Sequence, residues 1–297
     1  RLPRRYPRRI HVPSAWEQLP GLEAYRGKGW LRRTIPGCDG LAGRIVFGGV
    51  SHTGTVFVDG KKRGWHYDAF TPWDVVVPRL DEGDHELVVE VDNTFGAHSA
   101  LHKENDYYTY GGITRPVELQ FVPEVYIERL YATPVKAGKT WRLEVIARLT
   151  NRTGGKLRRK VALEIAGARS ETGSLTVRPN STRDLTLHVE GLEVRPWSGE
   201  SPNLYELTAS LSDGGRVVDD MIERVGFREV KVRGRKLLLN GEPLKLLGYN
   251  RHESHPQFGS ALPVQAMVTD LEIMKDLGCN FIRTSHYPND QRFLDLC

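Results

Sequence analysis

Cysteine is scarce: Cys38, Cys279 and Cys297 are the only three in 297 residues, too few and too scattered for a disulfide framework or a zinc site. Free cysteine behaves as a small buried hydrophobe, so core packing is the expectation for all three, and a reducing compartment is mildly favoured. Long apolar runs are also missing; none approaches the roughly eighteen residues of a membrane helix. The amino terminus, Arg1 to Ile10, is basic but lacks the apolar stretch that follows in a secretory leader. The expectation is a cytoplasmic protein, or a secreted one whose leader has been removed, without a membrane partner. Acidic excess is absent too, since the formal net charge is +5. Much of that surplus is Arg1, Arg4, Arg5, Arg8 and Arg9, which reads as a solvated or poorly ordered end rather than a nucleic-acid surface.

What is present is strand pattern. A 39% hydrophobic content over this length can bury two or three cores. Gly43 to Phe47, Gly54 to Val58 and His85 to Val91 are short runs rich in Val, Ile and Phe, separated by turns such as Asp59-Gly60. They predict an all-β segment over residues 1–122, a sandwich or jelly roll. A second all-β segment, 123–226, alternates strictly at Trp141, Leu143, Val145, Ala147 and Leu149 and again at Tyr205, Leu207, Ala209 and Leu211. Period two predicts sheets wetted on one face and packed on the other, an immunoglobulin-like sandwich with no inter-sheet disulfide.

From Phe227 the pattern changes. Leu237 to Leu239, Asn240-Gly241 and Glu242 to Leu244 predict a hairpin with a type I′ turn. Apolar runs at Leu244 to Tyr249 and Cys279 to Ile282 then end abruptly in Arg, His, Ser, Tyr and Asn. Between them Val264, Met267, Val268, Leu271, Met274 and Leu277 recur at helical spacing, with Pro263 at the start and Gly278 at the C-terminal cap. The order is strand, helix, strand. In parallel α/β architectures ligands bind at the carboxyl ends of strands, so polar side chains massed there suggest a site.

The stretch Asn280-Phe281-Ile282-Arg283-Thr284-Ser285-His286-Tyr287-Pro288 with Phe293-Leu294, and upstream Asn250-Arg251-His252-Glu253-Ser254-His255-Pro256, resemble glycoside hydrolase family 2, the β-galactosidase and β-glucuronidase family. Gly27-Lys28-Gly29-Trp30, Phe57-Val58-Asp59-Gly60 and Gly111-Gly112-Ile113-Thr114-Arg115-Pro116 fit the amino-terminal sugar-binding domain of that family in order. The resemblance implies three parts: a jelly roll over 1–122, an immunoglobulin-like spacer over 123–226, and over 227–297 the opening of a TIM (β/α)8 barrel, a fold of about 250 residues. It also implies a retaining exo-β-glycosidase, with neutral β-galactosides preferred to β-glucuronides. Retention needs two carboxyl groups about 5–5.5 Å apart; in the family both are glutamates on later barrel strands, beyond Cys297, so the chain alone is expected to be inactive. A non-catalytic carbohydrate-binding protein and one subunit of a split enzyme are the other readings.

Four residues carry over from the family as substrate contacts. His286 matches the histidine that hydrogen-bonds sugar hydroxyls, since imidazole can donate and accept across a hydroxyl pair, and His252 matches another sugar contact. Arg283 is expected to face the nucleophile and hold it ionised; a buried ion pair bracing the barrel is its alternative. Asp106, within Glu104 to Ile113, matches an aspartate that reaches the barrel mouth to bind hydroxyls or a cation, against an Asx turn closing a surface loop. Tyr107, Tyr108 and Tyr110 are either sugar platforms or core. His252 and His255 stand three apart and precede Pro256, against the helical spacing of four in a zinc protease, and Glu253 reads as support. No metal site and no certain cofactor follow, magnesium or sodium being the ions the resemblance leaves open; the partners implied are carbohydrate and copies of the full-length enzyme.

Overall fold

A computed structural model describes residues 2–96 and 103–297. It separates into two compact units, one of residues up to Phe121 together with Leu246–Cys297, the other Val122–Lys245.

In the first unit, the strands Lys28–Gly37, Gly83–Asp92, Thr53–Val58 and Lys61–His66 hydrogen-bond in that order, and Val117–Val122, Ala42–Phe47 and Trp73–Val77 form a second antiparallel sheet. The short apolar runs seen in the sequence supply the core: Val56 and Val58 from one sheet and Trp73, Val75 and Val77 from the other enter a common core with Ile45 and Phe47. The predicted Asp59-Gly60 turn has positive φ at both residues, 51° and 71°, as a type I′ hairpin requires. A small third sheet joins Ser14–Ala15, Gly112–Ile113 and Val50–Ser51. It fixes the end of the segment that carries Asp106.

The same unit holds the strand–helix–strand element. Gly248–Arg251 and Phe281–Thr284 pair in parallel, with Asn250 opposite Arg283, across the helix Val264–Asp276. Pro263 is the N-cap and Gly278, at φ 74°, follows the C-cap Leu277, a left-handed position that suits glycine. Both strands begin later than predicted. Glu242–Leu244 pairs instead with Lys236–Leu239, and Asn280 pins the start of the parallel pair, its side chain accepting from Leu247 N–H at 2.8 Å and its N–H donating to Leu247 O at 2.9 Å.

In the second unit, Val125–Ala137, Thr140–Asn151 and Ser181–Leu192 form one antiparallel sheet, while Ala168–Glu171, Leu157–Ile165, Tyr205–Asp213 and Arg216–Val225 form the other, with Leu175–Val177 on Leu157–Ile165. Trp141, Leu143, Val145, Ala147 and Leu149 meet Val161, Leu163, Leu207, Ala209 and Leu211 in one core. Trp141 meets Phe227 edge-on at 5.8 Å within that core. The Asn240-Gly241 turn, φ 53° and 91°, closes the predicted hairpin.

One expectation needs correcting. The cysteines are not core: Cys38 and Cys279 are half-buried and Cys297 is exposed; Cys279 lies ahead of its strand rather than inside it. The basic terminus is solvated at Arg4, Arg5, Arg8 and Arg9 yet tethered, since Arg8 donates to Pro20 O at 3.0 Å and Arg32 lies over the Tyr6 ring at 4.7 Å.

Candidate functional site

His252 is the first residue past the strand Gly248–Arg251. Arg251 and Glu253 on either side are buried, at 5% and 3% exposure, so His252 between them faces outward. His286 follows the second strand after the fully buried Ser285 and is likewise exposed. Their rings meet edge-on with centroids 5.3 Å apart.

Tyr107 from the β-rich part of the same unit joins them, 5.5 Å from His252, 6.2 Å from His286 and 5.3 Å from Tyr287. Phe70 stacks on Tyr287 at 4.1 Å with planes 9° apart. Burial raises the Tyr107 phenol, helped by the charge of Asp106 next to it. Burial also pushes Tyr287 up to about 12, so both hydroxyls stay protonated at neutral pH. Tyr287 Oη accepts the Glu253 N–H at 3.0 Å.

The segment bearing Asp106 is held at its base. Glu17 accepts the Gly111 N–H with both oxygens, at 2.8 and 3.0 Å, and an Asn93 Nδ2–H at 3.1 Å. Arg26 donates to Thr109 O at 2.7 Å, and the Tyr110 and Ser254 hydroxyls lie 3.0 Å apart. Asp106 itself is exposed.

Of the four residues singled out from the sequence, His252 and His286 are in contact, and Asp106 is joined to them through its neighbour Tyr107. Arg283 is exposed and donates to Ser285 Oγ at 3.2 Å. The buried ion pair offered as its alternative belongs to other arginines. Arg115 Nη2 meets Glu253 Oε2 at 2.8 Å with both side chains about 5% exposed or less, and Arg251 lies 3.9 Å from the other oxygen. His255 is turned away into a local loop, its Nδ1 accepting from Gln257 N–H at 3.1 Å and its ring stacked on Phe258. Phe70 and the reach of Arg115 had no sequence signal; the motif around Arg115 marks it as notable without indicating a partner 138 positions away. One aromatic wall, two outward imidazoles and a carboxylate beside them are a set that can stack on a sugar ring and exchange hydrogen bonds with its hydroxyls.

Comparison with known proteins gives the same direction. The model for glycosyl hydrolases family 2 matches residues 125–228, and that for the TIM barrel domain of the same family matches 230–297. The chain is 42% identical to a β-galacturonidase of that family from Eisenbergiella tayi, solved with galacturonate and with glycerol, with a TM-score of 0.90 over 97% of this chain and 51% of that one. It is 33% identical to a β-galactosidase of Streptococcus thermophilus over 85% of this chain and 24% of the relative. The β-glucuronidase of Bacteroides uniformis shares the fold, with a TM-score of 0.86 at 24% identity over 97% of this chain and 37% of that one. The chain thus spans a quarter to about half the length of these relatives.

Proposed function

The chain belongs to glycosyl hydrolase family 2, and from that premise we propose that it is the amino-terminal part of a retaining exo-β-glycosidase acting on a galacto-configured sugar. The observation that carries the reading is the meeting of His252, His286 and Tyr107, with Asp106 adjacent, at the carboxyl ends of two parallel strands. That is where barrel enzymes bind their substrates. The finer architecture follows the family: a jelly roll over 1–122, an immunoglobulin-like spacer over 123–226 and the opening of a TIM barrel over 227–297.

In this reading His286 and His252 hold sugar hydroxyls, Asp106 accepts from a vicinal pair or meets a cation such as magnesium or sodium beside them, and Arg283 faces the nucleophile. The acid/base and nucleophilic glutamates, about 5–5.5 Å apart in a retaining enzyme, lie outside these 297 residues, and the full-length enzyme is a cytoplasmic homo-oligomer. The neutral β-galactoside expected from the sequence has a rival in a β-galacturonide, which differs only at C6. The 42% identity to a β-galacturonidase over 97% of the chain favours the second.

Initial rates on nitrophenyl β-galactoside, β-galacturonide and β-glucuronide test the proposal in the enzyme that carries this chain. Turnover led by a galacto-configured substrate is expected. Faster release from the glucuronide, or none from any of the three, overturns it.

A further inference from the structure

We propose that Arg115 is a positioning residue for the His252–His286 pair, acting through Glu253 and the Pro288 carbonyl without touching either imidazole. Its side chain is 5% exposed and lies in the β-rich part of the unit. It donates to Phe70 O, to Glu253 Oε2 at 2.8 Å and to Pro288 O at 2.6 Å. Each acceptor is one step from the ring cluster. Phe70 carries the ring stacked on Tyr287, Glu253 follows His252, and Pro288 is two residues past His286.

Glu253 passes the restraint onward. Its Oε1 accepts the Asp290 N–H at 2.8 Å, and its own N–H donates to Tyr287 Oη. Arg251, on the other side of His252, donates to Asn289 Oδ1 at 3.1 Å and to Asp270 of the helix at 2.9 Å. The two loops that carry the histidines are thereby tied to one another and to one buried cation. A guanidinium spreads its donors over a rigid planar fork, whereas an ammonium carries its three on one rotating nitrogen at the end of a flexible stem. The geometry therefore depends on the shape of Arg115 as well as its charge.

A buried ion pair that merely stabilises the fold makes a different prediction, so the test separates geometry from stability. In the 297-residue chain labelled at histidine and tyrosine rings, cross-relaxation between Tyr107 and both imidazoles is the readout, with thermal melting recorded alongside. Arg115→Lys and Arg115→Met are expected to lose the Tyr107–His286 contact. The double variant Arg115→Met/Glu253→Gln removes the charge of the buried carboxylate that has lost Arg115 and is expected to recover melting temperature without recovering the ring contacts.

Ring contacts that persist in Arg115→Lys, or that return in the double variant together with stability, overturn the proposal. Should Arg115→Met fail to fold, Arg115→Lys decides. The kinetic arm alone rests on the glycosidase reading: there Arg115→Lys is expected to lower kcat about 100-fold with a smaller change in KM, as for a small misplacement of binding groups. A wild-type enzyme inactive on every glycoside would end the functional reading, while the ring contacts still decide the role of Arg115.

Discussion

At the scale of single residues, three histidines carry predictions, His252 and His286 for the site and His52 for the stability of the fold in acid. His252 and His286 are outward and exposed, and in the proposed function removal of either ring takes away hydrogen bonds to the sugar. His286→Ala and His252→Ala are each expected to lower kcat/KM on the preferred glycoside about tenfold or more, from about 1–1.5 kcal/mol per lost hydrogen bond, as initial rates would show. His52 is fully buried beside Phe95. Burial first, and the positive charge of Arg26 second, bring it down from 6.5 to about 4. A folded-state value below the unfolded one means that the unfolded chain binds the proton first. Stability is therefore held above pH 6.5 and lost as pH falls from about 6.5 to about 4, by up to about 3 kcal/mol. Melting temperature against pH should show that acid limb, and His52→Phe should flatten it. Glu17 has the opposite sign: burial raises its carboxyl, so its charged form is penalised as pH rises above the ordinary glutamate range. Melting curves of Glu17→Gln against wild type should diverge in favour of the variant as pH rises through the acid range.

Among the elements, the helix Val264–Asp276 shows what periodicity can and cannot reveal. Its spacing, start and stop were all written in Pro263, the Val264 to Leu277 pattern and Gly278. Yet of the apolar stripe only Met267 is fully buried, against Leu262 and Phe293, while Leu277 is 63% exposed. Met267→Ala should therefore cost about 2–5 kcal/mol and Leu277→Ala far less, a contrast that urea denaturation would measure. The hairpin at Asn240-Gly241 was legible for a similar reason, since a two-residue turn with positive φ leaves a chemical trace in the residues that tolerate it. The starts of the parallel strands were placed early, by four residues for Gly248–Arg251 and by two for Phe281–Thr284. Their start is set by the Asn280 side chain bonding Leu247, a contact across 33 positions that no local pattern encodes.

On the scale of the molecule, each β-rich unit has its own core; short Val, Ile and Phe runs between turns announced the first, and strict alternation the second. Trp141 is the largest side chain fully buried in the second unit and packs on Phe227. Trp141→Ala should cost about 3–5 kcal/mol, read as a lower urea midpoint of the transition that reports residues 122–245.

The sequence by itself determined which stretches are strand or helix, where two tight turns fall, and that the polar ends near His252 and His286 belong to a family 2 signature. Those are properties of spacing and side-chain type, which act over a few residues. Only the tertiary structure decided that Tyr107 closes on both histidines, that Phe70 backs Tyr287, that Arg283 stays outside the ring cluster, and that Arg115 rather than Arg283 makes the buried ion pair. Burial and distance between residues far apart in the chain exist only once the two parts of the first unit have packed, because a desolvated charge finds its partner in space and not along the sequence.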